Sequence, residues 1–318
     1  MIINKNSKIF VAGHKGMVGS AIIRCLENNN YINIIKRDRK TLNLINQEET
    51  KSFFEYEKPE IVIIAAAKVG GILANSSLQA EFLYENLSIQ NNIIHSSHLC
   101  KVKKLIFLGS ACIYPKLSNQ PIKEEMLLTG PLEPTNEGYA IAKISGIKMC
   151  QYYYELYNHN FISLMPNNLY GQNDNFDLES SHVLPALMRK FHEAKISDKP
   201  NVEIWGSGKA LREFLHVDDL AAAVLFALEN IGANDISAMG KTHLNVGSGE
   251  EVSIKQLANI LKELVNYEGE MYFNETKPNG TPKKLLDSSI INNLGWSAQI
   301  SLNDGIANLY NWYKGRLG

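Results

Sequence analysis

The run Lys8-Ile9-Phe10-Val11-Ala12-Gly13-His14-Lys15-Gly16-Met17-Val18-Gly19 decides how this chain folds. A short strand-forming stretch, Lys8–Ala12, leads into glycines spaced G-x-x-G-x-x-G. Apolar residues then recur every three or four positions through Met17–Glu27, the period of an amphipathic helix. In such a strand–loop–helix unit one glycine permits the tight turn and another lets backbone approach a pyrophosphate, while the helix start offers unpaired N–H groups to it. A glycine triplet alone occurs in many loops, and its place between a first strand and a first helix gives it meaning. Gly13, His14, Lys15, Gly16, Met17, Val18 and Gly19 are therefore expected to hold a dinucleotide.

Outward from that unit the first half of the chain alternates β-branched runs with amphipathic segments, as βαβ units do. Strands are predicted at Lys8–Ala12, Ile32–Lys36, Ile61–Ala65, Lys104–Leu108 and Phe161–Met165, and helices at Met17–Glu27, Gln47–Tyr56, Leu78–Leu99 and Tyr139–Tyr157. After Pro166 the pattern loosens into a polar stretch, Gly171 to Ser181. A helix follows at His182–Ala194 and a strand at Val202–Trp205, while Val217–Leu228 and His243–Val246 look like a return to the first sheet. Ser253–Val265, Glu270–Phe273 and Leu302–Trp312 read as a smaller lobe. The expected class is α/β: a doubly wound parallel Rossmann sheet with a smaller C-terminal α+β substrate lobe. The dinucleotide domain would span 1–170, with 214–247 returning to it, and the substrate lobe 171–213 with 248–318.

Length and composition agree with this and narrow the function. A chain of 318 residues can bury a large core, and 45% apolar with 20% charged residues is ordinary for a globular protein. A net charge of −1, with both signs mixed along the chain, provides no broad field for nucleic acid or an anionic membrane. No stretch approaches the ~18 apolar residues of a spanning helix, and neither an export signal nor a membrane anchor is expected. Cys25, Cys100, Cys112 and Cys150 form no C-x-x-C pair, so neither a disulfide framework nor a metal site is expected and the compartment is read as cytoplasmic.

The second predicted strand ends Lys36-Arg37-Asp38-Arg39, basic where an NAD-selective site usually carries an acid. Arg37 suits a 2′-phosphate because its guanidinium binds phosphate bidentately, which favours NADP(H); the other reading is a solvated basic turn. Tyr139 and Lys143 stand four apart at the start of a helix and share a face. An ammonium ~4 Å from a phenolate, at an effective dielectric of ~20, is worth about 4 kcal/mol, or roughly three pK units, enough to bring a tyrosine towards neutrality. Tyr310 and Lys314 repeat the spacing in the terminal helix, so position decides. Ser110 follows the Lys104–Leu108 strand at the carboxyl edge where open α/β sheets bind ligands, and the Tyr139 helix lies in the same domain.

Together these residues resemble the extended short-chain dehydrogenase/reductase superfamily, and within it the GDP-L-fucose synthase family. The likeness runs nearly end to end, through Gly13–Ile22, Ala65–Ile72, Leu108–Pro115, Leu132–Lys143, Asn168–Gly171, His182–Leu187, Trp205–Gly208, Arg212–Asp219 and Lys277–Leu286. The resemblance implies a GDP-linked 4-keto-6-deoxy sugar as substrate, epimerised at C3 and C5 and then reduced at C4 with NADPH. It implies Tyr139 as proton donor to the C4 oxygen, Lys143 as its tuner and ribose ligand, Ser110 as a hydrogen-bond donor to the carbonyl, and Cys112 with His182 as the epimerisation acid/base pair. It further implies that Leu108, Gly109, Ser110 and Ala111, then Pro166, Asn167, Asn168 and Leu169, and also His182, line the cofactor, and that Lys190, Trp205, Arg212 and Asn279 face the GDP-sugar. A homodimer through the helices Leu78–Leu99 and Tyr139–Tyr157 is implied in the same way.

Taken alone, Cys112 would more often be a buried small hydrophobe and His182 a helix-capping surface residue. Trp205 could be plain core, and Arg212 a surface ion pair. The chain departs from the family pattern at five places: Lys15 and Lys190 stand for arginine, Ala111 for a second serine, Asn167 for threonine, and Asn279 for the aspartate of Lys-Pro-Asp-Gly. The lysines keep the charge and lose the bidentate fork. These changes motivate an alternative, a C4 reductase on a related GDP-6-deoxy sugar such as a heptose, with little epimerisation. A further alternative is an idle NADP-sensing scaffold.

Overall fold

The computed structural model describes residues 3–277 and 280–317. Its elements run β1 (Ile9–Ala12), α1 (Met17–Asn28), β2 (Ile34–Ile35), α2 (Gln47–Glu57), β3 (Ile61–Ile64), α3 (Ile72–Ser77), α4 (Gln79–Leu99), β4 (Lys104–Leu108), α5 (Glu137–Tyr157), β5 (Phe161–Pro166) and β6 (Asn168–Tyr170). Then come α6 (Val183–Ile196), β7 (Asn201–Trp205), β8 (Leu211–His216), α7 (Val217–Asn230), α8 (Ala233–Ala238), β9 (Leu244–Val246) and β10 (Glu251–Ser253). The chain closes with α9 (Ile254–Val265), β11 (Glu270–Asn274), β12 (Lys283–Lys284), α10 (Ser289–Asn293) and α11 (Leu302–Leu317).

Six strands form one parallel sheet in the order β2-β1-β3-β4-β5-β9. Because β1 to β5 are apolar on both faces, the sheet must be covered twice. Ile9, Val11, Ile61, Ile63, Ile106, Ile162 and Leu164 turn to one side and pack with Ile22, Leu26, Leu220 and Val224 of α1 and α7. Phe10, Ala12, Val62, Ile64, Leu105, Phe107 and Met165 turn to the other, against Phe54, Ile93, Ile94, Ile144 and Ile147 of α2, α4 and α5. The strand order reverses at β1, which has β2 on one side and β3 on the other. That places the glycine loop at the switch point, where such sheets open a crevice.

A second assembly pairs β8 with β6, β10 and β12, and β11 with β7. Its core gathers Leu187, Met188 and Phe191 of α6, Ile204 of β7, Leu257 and Leu261 of α9, and Ile306 and Leu309 of α11. Because β8 leads directly into α7, one continuous backbone joins this assembly to the large sheet.

Several details differ from expectation. The strand predicted at Ile32–Lys36 shortens to Ile34–Ile35, and the helix predicted from Leu78 is preceded by a separate one, Ile72–Ser77. The break has a local cause: Ser76 and Ser77 turn their hydroxyls back onto the Leu73 carbonyl, and Leu78 leaves helical geometry. β6, β8, β10 and β12 were not anticipated. In β8 the pair Arg212-Glu213 interrupts the apolar pattern, yet Glu213 is wholly buried.

Lys104 shows how the layers are locked. It is buried at the start of β4, where its ammonium donates to the carbonyls of Ala227, Leu228 and Ile231 at the end of α7, and burial pulls its pKa down to about 8. The helix thus receives a cation where its dipole is negative. Lys104→Ala strips donors from three carbonyls and is expected to cost about 3 kcal/mol. The check is a lowered urea midpoint at unchanged slope; an unshifted midpoint would refute the role.

Candidate active site

Gly13 has φ of +85°, and a Cβ there would lie 2.7 Å from the Ala66 amide nitrogen. A Cβ on Gly19 would sit 2.1 Å from the Gly13 carbonyl oxygen, so the loop closes onto α1 only without side chains. Gly16 caps α1 with no side-chain acceptor, and the first turn contains no acid. The helix start is therefore left for an external anion, and this cradle fits a dinucleotide pyrophosphate. His14, Met17 and Val18 are half-buried around it.

At the end of β2 each basic residue has a carboxylate partner. Lys15 pairs with Asp38 at 2.7 Å, Lys36 with Glu27 at 2.7 Å and Arg37 with Glu57 at 2.5 Å, while Arg37 also lies over the Phe53 ring. A ribose 2′-phosphate would take Arg37 from Glu57. That exchange does not strand Glu57, which keeps Lys8 as a second partner at 2.9 Å.

The sequence-predicted catalytic group meets at the carboxyl end of β4. Lys143 of α5, almost wholly buried, donates to the Leu108 carbonyl at 2.8 Å and sits 5.7 Å from the centre of the Tyr139 ring. Ser110 opens the turn Ala111–Ile113, and the Cys112 thiol donates to the Ser110 hydroxyl at 2.9 Å. Gly109 is held against Met165, whose sulfur a Cβ there would meet at 2.2 Å. One expectation is corrected. The Lys143 ammonium does not lower the Tyr139 pKa here: burial raises it well above 10, Cys112 adds to the rise, and the Ser110 hydrogen bond opposes it. Burial also depresses Lys143, to about 8, because α5 packs both groups into a low-dielectric layer.

His182 caps α6 with backbone only. His182 is exposed as a residue, and desolvation by neighbouring protein holds its pKa below the usual 6.5. Among the described residues it makes no hydrogen bond to Cys112. The approach is indirect: Gly71 donates to the Ser180 carbonyl at 2.8 Å, a Cβ on Gly70 would lie 3.2 Å from the Phe82 ring, and Phe82 packs edge-on to Tyr139 at 6.4 Å. The segment before α6 thus leans on the β3–α3 loop beside Tyr139.

Pro166 ends β5, and Asn168 and Leu169 begin β6. Asn167 donates through Nδ2 to the Glu213 carboxylate and to the Lys284 carbonyl, and its Oδ1 accepts from the Asn168 amide. A threonine at 167 has one hydroxyl proton and could not serve both acceptors. In the second assembly the Lys190 ammonium lies 5.2 Å from the centre of the Trp205 ring and donates to the Glu203 carbonyl. Arg212 pairs in register with Lys284 across β8 and β12. Asn279 lies outside the described residues. The sequence reading missed Glu213 and Lys284, although both fall in runs it had marked, Arg212–Asp219 and Lys277–Leu286. The Lys284 pKa is lowered by burial, with Cys112 and Glu133 acting against this and Arg212 with it, so these four groups share one electrostatic neighbourhood.

A glycine cradle at a switch point, with a Ser–Tyr–Lys group beside it and a second lobe facing it, defines an oxidoreductase of the extended short-chain dehydrogenase/reductase class. The chain belongs to the NAD dependent epimerase/dehydratase family, whose model matches residues 9–247. It is 54% identical over 310 residues to a GDP-L-fucose synthase 1 of Arabidopsis thaliana, covering 98% of this chain and 94% of that one. Among solved structures it resembles a GDP-6-OMe-4-keto-L-xylo-heptose reductase from C. jejuni, with a TM-score of 0.95, 42% identity and coverage of 99% and 100%. A GDP-mannoheptose C4 reductase from Campylobacter jejuni with NADP bound gives a TM-score of 0.91, 44% identity and coverage of 98% and 99%.

The cradle predicts a contrast between two glycines. Gly19→Ala should abolish NADPH binding, since its methyl meets backbone. Gly16→Ala, whose Cβ would lie 3.5 Å from the Gly13 carbonyl oxygen, should leave the loop standing. Nicotinamide fluorescence titrations of both variants check this; equal affinities would refute the steric argument.

Proposed function

We propose that this protein is an NADPH-dependent epimerase/reductase that converts a GDP-linked 4-keto-6-deoxy sugar to GDP-L-fucose. The observation that carries the reading is the Cys112 thiol held on the Ser110 hydroxyl beside Tyr139 and Lys143. One pocket then presents both a proton-exchanging group and a reductase group. Bound NADPH supplies the hydride that reaches C4.

The C4 ketone acidifies the C–H bonds at C3 and C5. Cys112 and His182 are the proposed pair that removes a proton from one face and returns one to the other. His182, kept neutral by its surroundings, is ready to accept a proton. Ser110 then hydrogen-bonds the carbonyl oxygen. Tyr139, whose raised pKa keeps it protonated, gives its proton to the oxygen that becomes the alcohol. The buried Lys143 ammonium holds the ribose and stabilises the phenolate left behind. Lys190, Trp205, Arg212 and Asn279 are proposed to hold the GDP-sugar. The proposed lobes are 1–170 with 214–247 for the cofactor and 171–213 with 248–318 for the sugar, although Ile291 and Trp296 pack beneath the large sheet.

A second reading, a C4 reductase on a GDP-heptose, is favoured by the likeness to the two Campylobacter reductases. Turnover separates the two. Consumption of NADPH with GDP-4-keto-6-deoxy-mannose and an L-fucose product by NMR would support the first. A product reduced at C4 with C3 and C5 unchanged would support the second.

Among the described residues no helix is long and apolar enough to cross a membrane. The four cysteines are free thiols, and the proposed location is cytoplasmic. We also propose a homodimer through α4 and α5, which leave Tyr84, Ile141, Tyr152 and Leu156 exposed.

Two outcomes follow for the chemistry. Tyr139→Phe should cut the rate of NADPH oxidation by about 10²–10⁴ without loss of NADPH binding; unchanged turnover would remove the assignment. Because His182 stays neutral as the pH falls through 6.5, the acid limb of epimerisation should lie below that value and be absent from His182→Ala. A limb above pH 7, or one unchanged in the variant, would place the proton elsewhere.

A further inference from the structure

β7 and β11 run parallel with Asn274 opposite Trp205, which brings the turn after β11 beside the indole at the end of β7. Two ammoniums converge on that ring: Lys190 from α6 at 5.2 Å from its centre, and Lys277 from the turn at 5.3 Å. Among the described residues neither forms an ion pair with a carboxylate. Lys190 donates to a backbone carbonyl, that of Glu203. The nearby Glu203 carboxylate is engaged otherwise, accepting from the Trp205 indole N–H at 3.1 Å and from Asn274 Nδ2 at 2.6 Å. Glu203 therefore fixes the plane of the indole and is a single carboxylate shared between two ammoniums, which leaves the group with a net positive charge.

Burial lowers the Lys190 pKa, Glu203 opposes this and Lys277 adds to it, so the two ammoniums repel across one shared carboxylate. An anion with several oxygens relieves that repulsion, and a diphosphate can reach both ammoniums at once. The two lysines come from separate elements, α6 and the turn after β11, so an anion between them would also tie those elements together.

Resting on the reading of this cleft as a nucleoside-diphosphate-sugar site, we infer that Lys277 is a second cation of the diphosphate subsite. It acts with Lys190 beside Trp205 and determines affinity for the substrate without entering the chemistry. Lys277 reads the phosphates and is indifferent to the base.

The test is calorimetric titration of the full-length protein with GDP, UDP, ADP and guanosine, for wild type, Lys277→Gln and Lys277→Arg. Lys277→Gln should weaken GDP by roughly tenfold and flatten the salt dependence of binding, while guanosine and NADPH bind as before. Lys277→Arg should restore most of the loss. In turnover the KM for the GDP-sugar should rise with kcat retained. A GDP affinity in Lys277→Gln within about twofold of wild type, or an equal loss for guanosine, would overturn the inference. If wild type binds UDP or ADP in preference to GDP, and that binding falls in Lys277→Gln, the clamp stands and the GDP assignment fails. If no nucleoside diphosphate binds wild type, both fall.

Discussion

The Glu213 carboxylate, wholly buried in β8, accepts from the side-chain amide of Asn167 and from the backbone amides of Gly249 and Leu286. Those donors belong to three different stretches: the wall after β5, the loop after β9 and the chain leaving β12. Removing a carboxylate from water costs several kcal/mol unless hydrogen bonds replace its hydration, and here burial still raises its pKa. The cost is offset only while all three stretches keep their places. Gly247 shows how closely they fit, because a Cβ there would lie 2.3 Å from the Glu213 carboxylate. Asn167, proposed to line the cofactor, and the strand bearing Lys284 are therefore positioned by one group. Arg212, the neighbour of Glu213 in β8, is fixed in the same frame.

From that frame the pocket acquires its chemistry. α5 carries Tyr139 and Lys143 into a layer dry enough to shift both pKa values, and the turn after β4 brings Ser110 and Cys112 alongside. Epimerisation and reduction both operate through the same C4 ketone, so a single bound sugar can meet both sets of groups. The raised pKa of Tyr139 fits a proton donor in the reductive direction. In the proposed mechanism Lys143 stabilises the phenolate that forms and does not ionise the tyrosine beforehand.

Much of the fold was legible in the sequence, since strands buried on both faces read as unbroken apolar runs and the glycine loop marks the first crossover. What was hidden follows a pattern. β8 was obscured by Arg212-Glu213, charged residues whose burial depends on donors far away in the chain. β6, β10 and β12 are two or three residues long, too short to show a period. Within the site, the glycines, Ser110 and the Tyr139/Lys143 pair were readable from spacing. Cys112 and His182 emerged only through the family likeness, since a cysteine after a strand and a histidine before a helix have ordinary structural uses. Lys284 was missed because its approach to Cys112 depends on strand register, which no local pattern reveals.

Whether one pocket performs both reactions is tested most directly by running a single turnover with NADPH and GDP-4-keto-6-deoxy-mannose in deuterated water and mapping the label by NMR. Deuterium at C3 and C5 of a product with the L-fucose configuration, together with unlabelled hydrogen at C4 from the cofactor, is the expected result. A reduced product carrying no deuterium at C3 or C5 would contradict it and leave a C4 reductase.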